Sequence, residues 1–314
     1  MGYYGWETAQ LDRPAPVESG RSGFISRVSP VQVRPPLLST ESSASVSHEP
    51  AEEYHGWPET SASQLKELAT SPLAYYRRFV AKDAPPKTSA ALSYGTLLHS
   101  WHEIGPDQFW SRVKVCPPDH VTGTGQLAKS AALWLATLSP EDIPISPADF
   151  NQLRLQTDQI LANPAAADLL AARVDAEFNV RFSHNGHACR CRVDGATPEV
   201  FYDLKTTRDA DPAEQFVWSC KEWKYELQAA LYGLAAVAAG WPKHRMHFIA
   251  TSNTYPHHCA VMVLPQDVHR HAEKRVSELL RELDQRRALD WWAPKGYGEV
   301  IEMPSKPFLG GKPW

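Results

Sequence analysis

A hairpin signal in the middle of the chain constrains the fold more than any other feature. Two runs in which apolar and polar residues alternate, AEFNVRFS and HACRCRVDG, meet at the turn sequence His184-Asn185-Gly186-His187. Alternation with a period of two is typical of strands, and Asn-Gly favours a two-residue hairpin turn. The run VFYDLKTT follows as a third strand with apolar flanks. The chain is therefore built around a β-sheet.

Helical patterns surround these strands, and two more strand patterns follow them. The order is helices, then β-β-β-α-β-β-α, which predicts an α/β fold with a central mixed β-sheet flanked by helices and preceded by an N-terminal helical segment. The predicted helices lie in SASQLKELAT, Pro72 to Phe79, QLAKSAALWLATL, ADFNQLRLQTDQILA, PAAADLLAARV, YELQAALYGLAAVAAG and the charged run from about Gln266 to Ala288; the later strands are RMHFIATS and HCAVMVL.

The domain organisation follows from changes in composition along the chain. Residues 1–50 are rich in Ser and Pro, lack lysine and show no regular period, which predicts a disordered tail. Residues 51–314 then form one domain. Within it, we expect a mostly helical part at 51–174, a sheet-bearing core at 175–290 and a C-terminal tail at 291–314.

Composition excludes some classes of protein and leaves others open. No run of eighteen apolar residues and no signal-peptide pattern occurs, so we expect a cytoplasmic protein without a membrane partner. Five scattered cysteines argue against a disulfide framework and for buried thiols. The formal net charge of -4 argues against an extended basic surface. It still allows a local basic channel at a metal site.

The third strand carries the residues with the most chemical meaning. Successive side chains alternate between faces, so Asp203 and Lys205 point the same way. Asp203 offers an oxygen ligand to a divalent cation, and Lys205 can stabilise an attacking water or charge on a phosphate. Asp194, at the end of the preceding strand, can add a second carboxylate. The pattern D-x-K alone is a weak signal, because charged residues alternate on many solvated sheet faces.

The helix after this strand carries a polar and aromatic flank. At about 100° per residue, Tyr225, Gln228 and Tyr232 fall within an arc of roughly 60°. A separate apolar stripe lies roughly 110° away from them. It consists of Leu227, Ala230, Leu231, Leu234 and Ala238. The helix therefore buries one face and presents the flank beside it.

Five short motifs occur in order along the chain: GTLLH (Gly95 to His99), Glu177, CRVD (Cys191 to Asp194), DLKTT (Asp203 to Thr207) and KYELQAALY (Lys224 to Tyr232). Together they resemble the nuclease domain of RecE-type exonucleases, the exonuclease VIII family of the PD-(D/E)xK superfamily and its RecB-like branch. The run YHGWPETSASQLKELATSPLAYY is similar to the start of that domain. The likeness covers about residues 54–240 and implies a PD-(D/E)xK nuclease core.

The resemblance implies a role for each matching residue. His99, Asp194 and Asp203 would be ligands of Mg²⁺ or Mn²⁺, and Lys205 would be the catalytic lysine. The remaining residues would act beside them: Glu177 as an acidic partner of the site, and Gln228 and Tyr232, the Q-xxx-Y signature, in placing the scissile strand. Tyr225 is a weaker addition to this set.

The resemblance also implies an activity and partners. Such enzymes degrade linear duplex DNA from its ends in the 5′ to 3′ direction. They leave 3′ single strands for a single-strand annealing protein in phage or prophage recombination, and they assemble into homo-oligomeric rings. No motif matches after about Arg245, so the direction of degradation and the oligomeric state rest on the likeness alone.

Alternatives remain open for the function and for single residues. A Cas4-like or restriction-type nuclease on the same core would act on single strands or internally, and a noncatalytic DNA-binding module would keep the fold without turnover. His102, three residues after His99, is interpreted as a surface residue rather than a second ligand. Arg190 and Arg192 share a strand face with Asp194, where either could form a structural ion pair or contact phosphate.

Overall fold

The computed structural model describes residues 44–85, 90–122, 127–208, 211–242, 245–294, 296–300 and 302. These residues belong to one compact unit of the chain. The strands in this part are β1 (Ser45–Ser47), β2 (Val113–Val115), β3 (Ile143–Ile145), β4 (Asp175–His184), β5 (His187–Ala196), β6 (Phe201–Thr207), β7 (His247–Ser252) and β8 (Cys259–Val263).

Six of these strands form the central sheet, in the order β1-β4-β5-β6-β7-β8. Neighbouring strands are antiparallel except for β6 and β7, which are parallel. A parallel pair needs a crossover connection, and here two helices supply it between β6 and β7. Strands β2 and β3 form a small separate parallel pair. The predicted central mixed sheet is therefore confirmed.

The hairpin that organises the sheet has the geometry expected from its sequence. Asn185 has φ 51° and Gly186 has φ 82°. A type I′ turn needs positive φ at both central residues, and Asn and Gly tolerate it best. The register pairs His184 with His187 and continues along β4 and β5 except for the step between Glu177 and Asp194.

Helices cover both faces of the sheet and form two apolar cores. They are α1 (Ala51–Gly56), α2 (Ala62–Thr70), α3 (Pro72–Tyr75), α4 (Ala90–Ile104), α5 (Pro106–Arg112), α6 (Ala132–Leu135), α7 (Pro147–Ala162), α8 (Pro164–Ala171), α9 (Pro212–Glu222), α10 (Tyr225–Ala238) and α11 (Gln266–Leu289). On one face, α2, α9, α10 and α11 pack on Phe178, Val193 and Phe248. On the other, α4, α5, α7 and α8 pack on Tyr202, Leu204 and Ile249.

Residue 50 is not the boundary between tail and ordered chain. Within the predicted tail, β1 pairs antiparallel with β4, with Val46 opposite Val180. His48 Nε2 lies 2.9 Å from an oxygen of Asp175. The composition of residues 1–50 does not reveal this strand, because its three residues form an edge strand by pairing with β4, which is far away in sequence. Residues 1–43 and 303–314, expected to be tails, lie outside the described residues.

Two helix predictions also need correction. In the run QLAKSAALWLATL, the described residues 127–138 form one 3₁₀ turn (Lys129–Ala131) and the four-residue α6, and Leu133 is 81% exposed. A short helix without a core to pack against is marginal. Conversely, α9 was not predicted, although Asp211 caps it and Pro212 occupies its first turn, which are ordinary start signals.

Two further features of the described residues concern the length of the helices and the state of the cysteines. Within the described part of the chain, every helix is too short or too polar to span a lipid bilayer. All five cysteines are unpaired thiols, four of them buried. Burial raises the pKa of Cys220 to about 11, as expected for a thiol without a chemical role.

Candidate active site

The candidate site lies where β5 and β6 separate. These two strands, both described in full, pair at Gly195–Tyr202 and Ala196–Phe201. Asp194 and Asp203 occupy the next position on each strand, just beyond the last paired step. The backbone N–H of Leu204 donates to Asp194 Oδ2 over 2.8 Å, so the aspartate side chain fills the gap between the strands. The point at which β5 and β6 separate, called the fork below, therefore brings two buried carboxylates together.

Helix α4 brings a histidine to the same fork. His99 Nδ1 lies 3.3 Å from Glu177 Oε1 and 3.4 Å from Asp194 Oδ2. One potential ligand atom from each of these three residues lies within 4.8 Å of the other two. An imidazole and two carboxylates suit a divalent cation such as Mn²⁺ or Mg²⁺. The predicted pair His99 and Asp194 is thus brought together, with Glu177 as the third member of the cluster.

The charges in this cluster are strongly coupled. The Asp194 carboxylate raises the pKa of His99 to about 9. Burial, followed by repulsion from Asp203, raises the pKa of Asp194 to about 7. Both groups therefore retain protons more strongly than they would in water. A cation that binds here has to displace those protons.

Glu177 sits in an unusual backbone conformation opposite Asp194. Its φ is 50°, in the left-handed region, and the β4–β5 register skips this step although both neighbouring steps are paired. Such a conformation costs on the order of 1–3 kcal/mol in a residue other than glycine. Arg192 Nε donates to Glu177 Oε2 over 2.9 Å and holds the carboxylate in place. The backbone conformation of Glu177 and its ion pair with Arg192 together orient its carboxylate toward His99.

Asp203 and Lys205 point to the same side of β6, as predicted. Asp203 is 1% exposed, its Oδ2 contacts Lys205 Nζ, and its Oδ1 accepts from Gln228 Nε2 over 2.5 Å. Burial lowers the pKa of Lys205, but the Asp203 and Asp194 carboxylates outweigh it and the net change is upward. The side chain of Lys205 therefore remains protonated inside the site.

The position of Asp203 differs from that of the three clustered residues. It lies close enough to Asp194 to raise the pKa of that carboxyl, yet both of its oxygens are engaged by Lys205 and Gln228. Its predicted role as a cation ligand remains a prediction.

The polar and aromatic residues on the flank of α10, which are Tyr225, Gln228 and Tyr232, make two kinds of contact. Gln228 contacts Asp203, and the ring of Tyr225 lies 5.0 Å from Lys205 Nζ. Tyr232 instead donates its hydroxyl to the backbone carbonyl of Arg192 over 2.5 Å. Two of the three residues therefore face the charged pair, while the third ties α10 to β5. A role for Tyr232 in placing a DNA strand remains a prediction.

The two arginines of β5 have structural partners. Arg190 is buried, donates to the backbone carbonyl of Tyr54 and lies 4.7 Å from that ring. Arg192 pairs with Glu177 rather than with Asp194. Of the alternatives left open by the sequence, the structural ion pair therefore applies to Arg192, with a different carboxylate.

His102 is not a surface residue. It is 2% exposed, and its Nε2 lies 2.9 Å from the hydroxyl of Tyr202. Burial lowers its pKa to about 3, so the ring is neutral. The surface interpretation was wrong because the face of α4 that carries His102 packs against the sheet. This contact fixes α4, and with it His99, over β6.

Lys66 is a polar residue of this region that the sequence did not single out. Its Nζ donates to Gln228 Oε1 over 2.8 Å, although the two residues are 162 positions apart. Lys66 lies on α2, among the residues of SASQLKELAT. No local period distinguishes it from a solvated lysine, so only the packing of α2 against α10 reveals it.

Comparison with known proteins shows a matching family and similarity to solved structures. A family described as "PDDEXK-like domain of unknown function (DUF3799)" matches residues 61–300. A crystal structure of a protein from Eubacterium rectale, described provisionally as an exonuclease, is similar with a TM-score of 0.57 and 15% identity. The match covers 84% of this chain and 98% of that one. No curated protein matches significantly in sequence.

Proposed function

Since the chain belongs to the PDDEXK-like family DUF3799, we propose that it is a metal-dependent DNA exonuclease. One observation carries the proposal. At the fork of β5 and β6, a cluster of one histidine and two carboxylates lies beside a buried aspartate–lysine pair. The provisional description of the Eubacterium rectale protein is consistent with this activity.

The donor atoms fit a hard divalent cation. His99, Glu177 and Asp194 would hold Mg²⁺ or Mn²⁺, with Asp203 as a further carboxylate near them. When bound, the cation would neutralise charge on the scissile phosphate and make water a stronger nucleophile at neutral pH.

The protein supplies the remaining parts. Lys205, kept charged by Asp203 and Asp194, offers a positive charge to the negative charge that develops on the phosphate oxygens. Arg192 holds Glu177, and Gln228 holds Asp203, so neither carboxylate has to reorganise when DNA arrives. Fixed dipoles and charges of this kind act strongly in a water-poor site.

The finer proposal concerns substrate and pathway, and the RecE-type motifs support it. The substrate is the end of linear duplex DNA, degraded 5′ to 3′ to leave a 3′ single strand. That strand is the substrate of a single-strand annealing protein in recombination, and the nuclease works as a homo-oligomeric ring. Residues 51–314 would form the nuclease domain.

Digestion of two DNA forms tests the proposal. With Mg²⁺ or Mn²⁺, linear duplex labelled at its 5′ ends should release label before the same duplex labelled at its 3′ ends, while covalently closed circular duplex stays intact. Asp203→Ala and Lys205→Ala should abolish the activity, whereas Lys274→Ala, at an exposed position on α11, should not.

Each competing function gives a different result in this assay. Nicking of the circle would indicate a Cas4-like or restriction-type nuclease. Release of label from the 3′ end first would reverse the proposed direction. Equal activity of wild type, Asp203→Ala and Lys205→Ala would exclude this site, and complete inactivity with retained DNA binding would indicate a noncatalytic module.

A further inference from the structure

Lys66 reaches the candidate site from a different part of the fold. It lies on α2, which packs on the same face of the sheet as α10. Its Nζ donates to Gln228 Oε1 over 2.8 Å and lies 4.6 Å from the centre of the Tyr225 ring. Gln228 in turn donates to Asp203. A continuous line of contacts therefore runs from α2 to the aspartate of β6.

The donor and acceptor atoms of the Gln228 amide give this line of hydrogen bonds a direction, from Lys66 to Asp203. A glutamine side chain has one accepting oxygen and one donating nitrogen, whereas an ammonium group only donates. A protonated Lys66 therefore favours the orientation in which the carbonyl oxygen of Gln228 faces Lys66 and its N–H₂ faces Asp203 Oδ1. In the flipped orientation, the Gln228 oxygen would face the Asp203 carboxylate, and two acceptors would repel.

The surroundings of Lys66 show that its position is energetically demanding. Burial, together with the Lys205 cation, lowers the pKa of Lys66 to about 7. Both ammonium groups lie against the ring of Tyr225, at 4.6 Å and 5.0 Å from its centre. Attraction between a cation and an aromatic ring offsets part of the cost. Lys66 is thus held by Gln228 and Tyr225 rather than left in solvent.

We propose that Lys66 is a positioning residue of the candidate active site. It stabilises the orientation of the Gln228 amide that donates to Asp203, and Gln228 then holds the Asp203 carboxylate beside Lys205. This inference rests on the proposed function, because it gives Lys66 a role in the same site. In this arrangement Lys66 acts through its hydrogen bond to Gln228.

A double-mutant cycle tests the route of the effect. Lys66→Met removes the donor but keeps a long side chain, and Gln228→Met removes the amide. We expect Lys66→Met to lower the single-turnover cleavage rate by roughly 10- to 100-fold, as changes to residues that orient metal ligands do. In the Gln228→Met background, the same change should have no further effect. DNA affinity should stay the same throughout.

Two further variants separate positioning from loss of structure. Lys66→Arg keeps a cationic donor and should recover most of the rate, and Lys274→Met is a control for the removal of an exposed lysine. Additive losses in the cycle, or an unchanged rate in Lys66→Met, would overturn the proposal. A fall in DNA affinity that depends on salt would overturn it too, because that result indicates direct phosphate contact.

Mn²⁺ affinity, measured by calorimetry on the same variants, does not depend on turnover. Loss of affinity in Lys66→Met that disappears in the Gln228→Met background supports positioning of Asp203, even if wild type cleaves no DNA. In that case the proposed function fails and the inference stands. If wild type cleaves DNA and neither the rate nor Mn²⁺ affinity shows coupling, the inference fails alone.

Discussion

Gly195 and Tyr202 face each other at the last paired step of β5 and β6, and a Cβ atom at Gly195 would lie 2.2 Å from Cζ of Tyr202. The glycine leaves the space that the aromatic ring fills. The hydroxyl of that ring meets His102, which anchors α4. The absence of a side chain at Gly195 therefore helps to place His99 over the site.

Gly195→Ala should destabilise the protein by about 1–3 kcal/mol, the usual cost of adding a methyl group to a packed region. The ring of Tyr202 cannot stay where it is, because three of its atoms lie 2.2–2.5 Å from the new Cβ. Urea unfolding measures the loss. Gly56→Ala is the matched control, since no atom lies within 4 Å of its Cβ position. Equal stability of the two variants would contradict this account of the fork.

His102 should make the protein sensitive to acid. Its pKa is about 3 in the folded protein, below the unperturbed value of about 6.5. The unfolded state therefore binds a proton first as the pH falls, and stability present above about pH 6.5 is lost toward pH 3. The contribution of His102 to the free energy of unfolding changes by up to about 1.4 kcal/mol per pH unit in this range. In His102→Gln, which keeps a donor but does not titrate, the free energy of unfolding should fall less steeply between pH 7 and pH 4.

Cation binding should release protons and strengthen as the pH rises. His99 and Asp194 have pKa values of about 9 and about 7, so at pH 8 a cation displaces about one proton, and at pH 6 about two. Calorimetry with Mn²⁺ in buffers of different ionisation enthalpy counts these protons. His99→Gln should lower the number at pH 8, by less than one because loss of the His99 charge raises the pKa of Asp194. An affinity that does not change between pH 6 and pH 9 would exclude these two residues as ligands.

Tyr232→Phe should cost stability rather than activity. The hydroxyl is buried and donates to the Arg192 carbonyl, so its removal should cost about 1–2 kcal/mol. Cleavage should persist, because Arg192 still pairs with Glu177. Tyr297→Phe, at an exposed position, is the control for stability. A stable Tyr232→Phe protein without activity would instead support direct contact of the hydroxyl with DNA.

Much of the fold was predictable because its signals are local. The hairpin followed from Asn185 and Gly186, whose positive φ values a type I′ turn requires. The shared face of Asp203 and Lys205 followed from the pleat of one strand. Neither inference needs knowledge of any distant part of the chain.

Other features depended on which surfaces meet. The run from 126 to 138 has the composition of a helix, but its described residues, 127–138, form one 3₁₀ turn and the short helix α6, because little packs against them. His102 was wrongly interpreted as a surface residue, because a helical period identifies the face of a helix that carries a residue but not what packs against that face. Glu177 was expected near the site, but its backbone conformation and its pairing with Arg192 could not be anticipated.

The sequence by itself determined the hairpin, the strand that follows it with Asp203 and Lys205 on one face, and the helix that carries Gln228, because turn geometry, strand pleat and helical period act over a few neighbouring residues. The tertiary structure decided how those residues contact each other. The separation of β5 from β6, the turn of the Gln228 amide toward Asp203 and the approach of Lys66 depend on packing between segments far apart in sequence. Long-range contacts of this kind leave no periodic pattern in the chain.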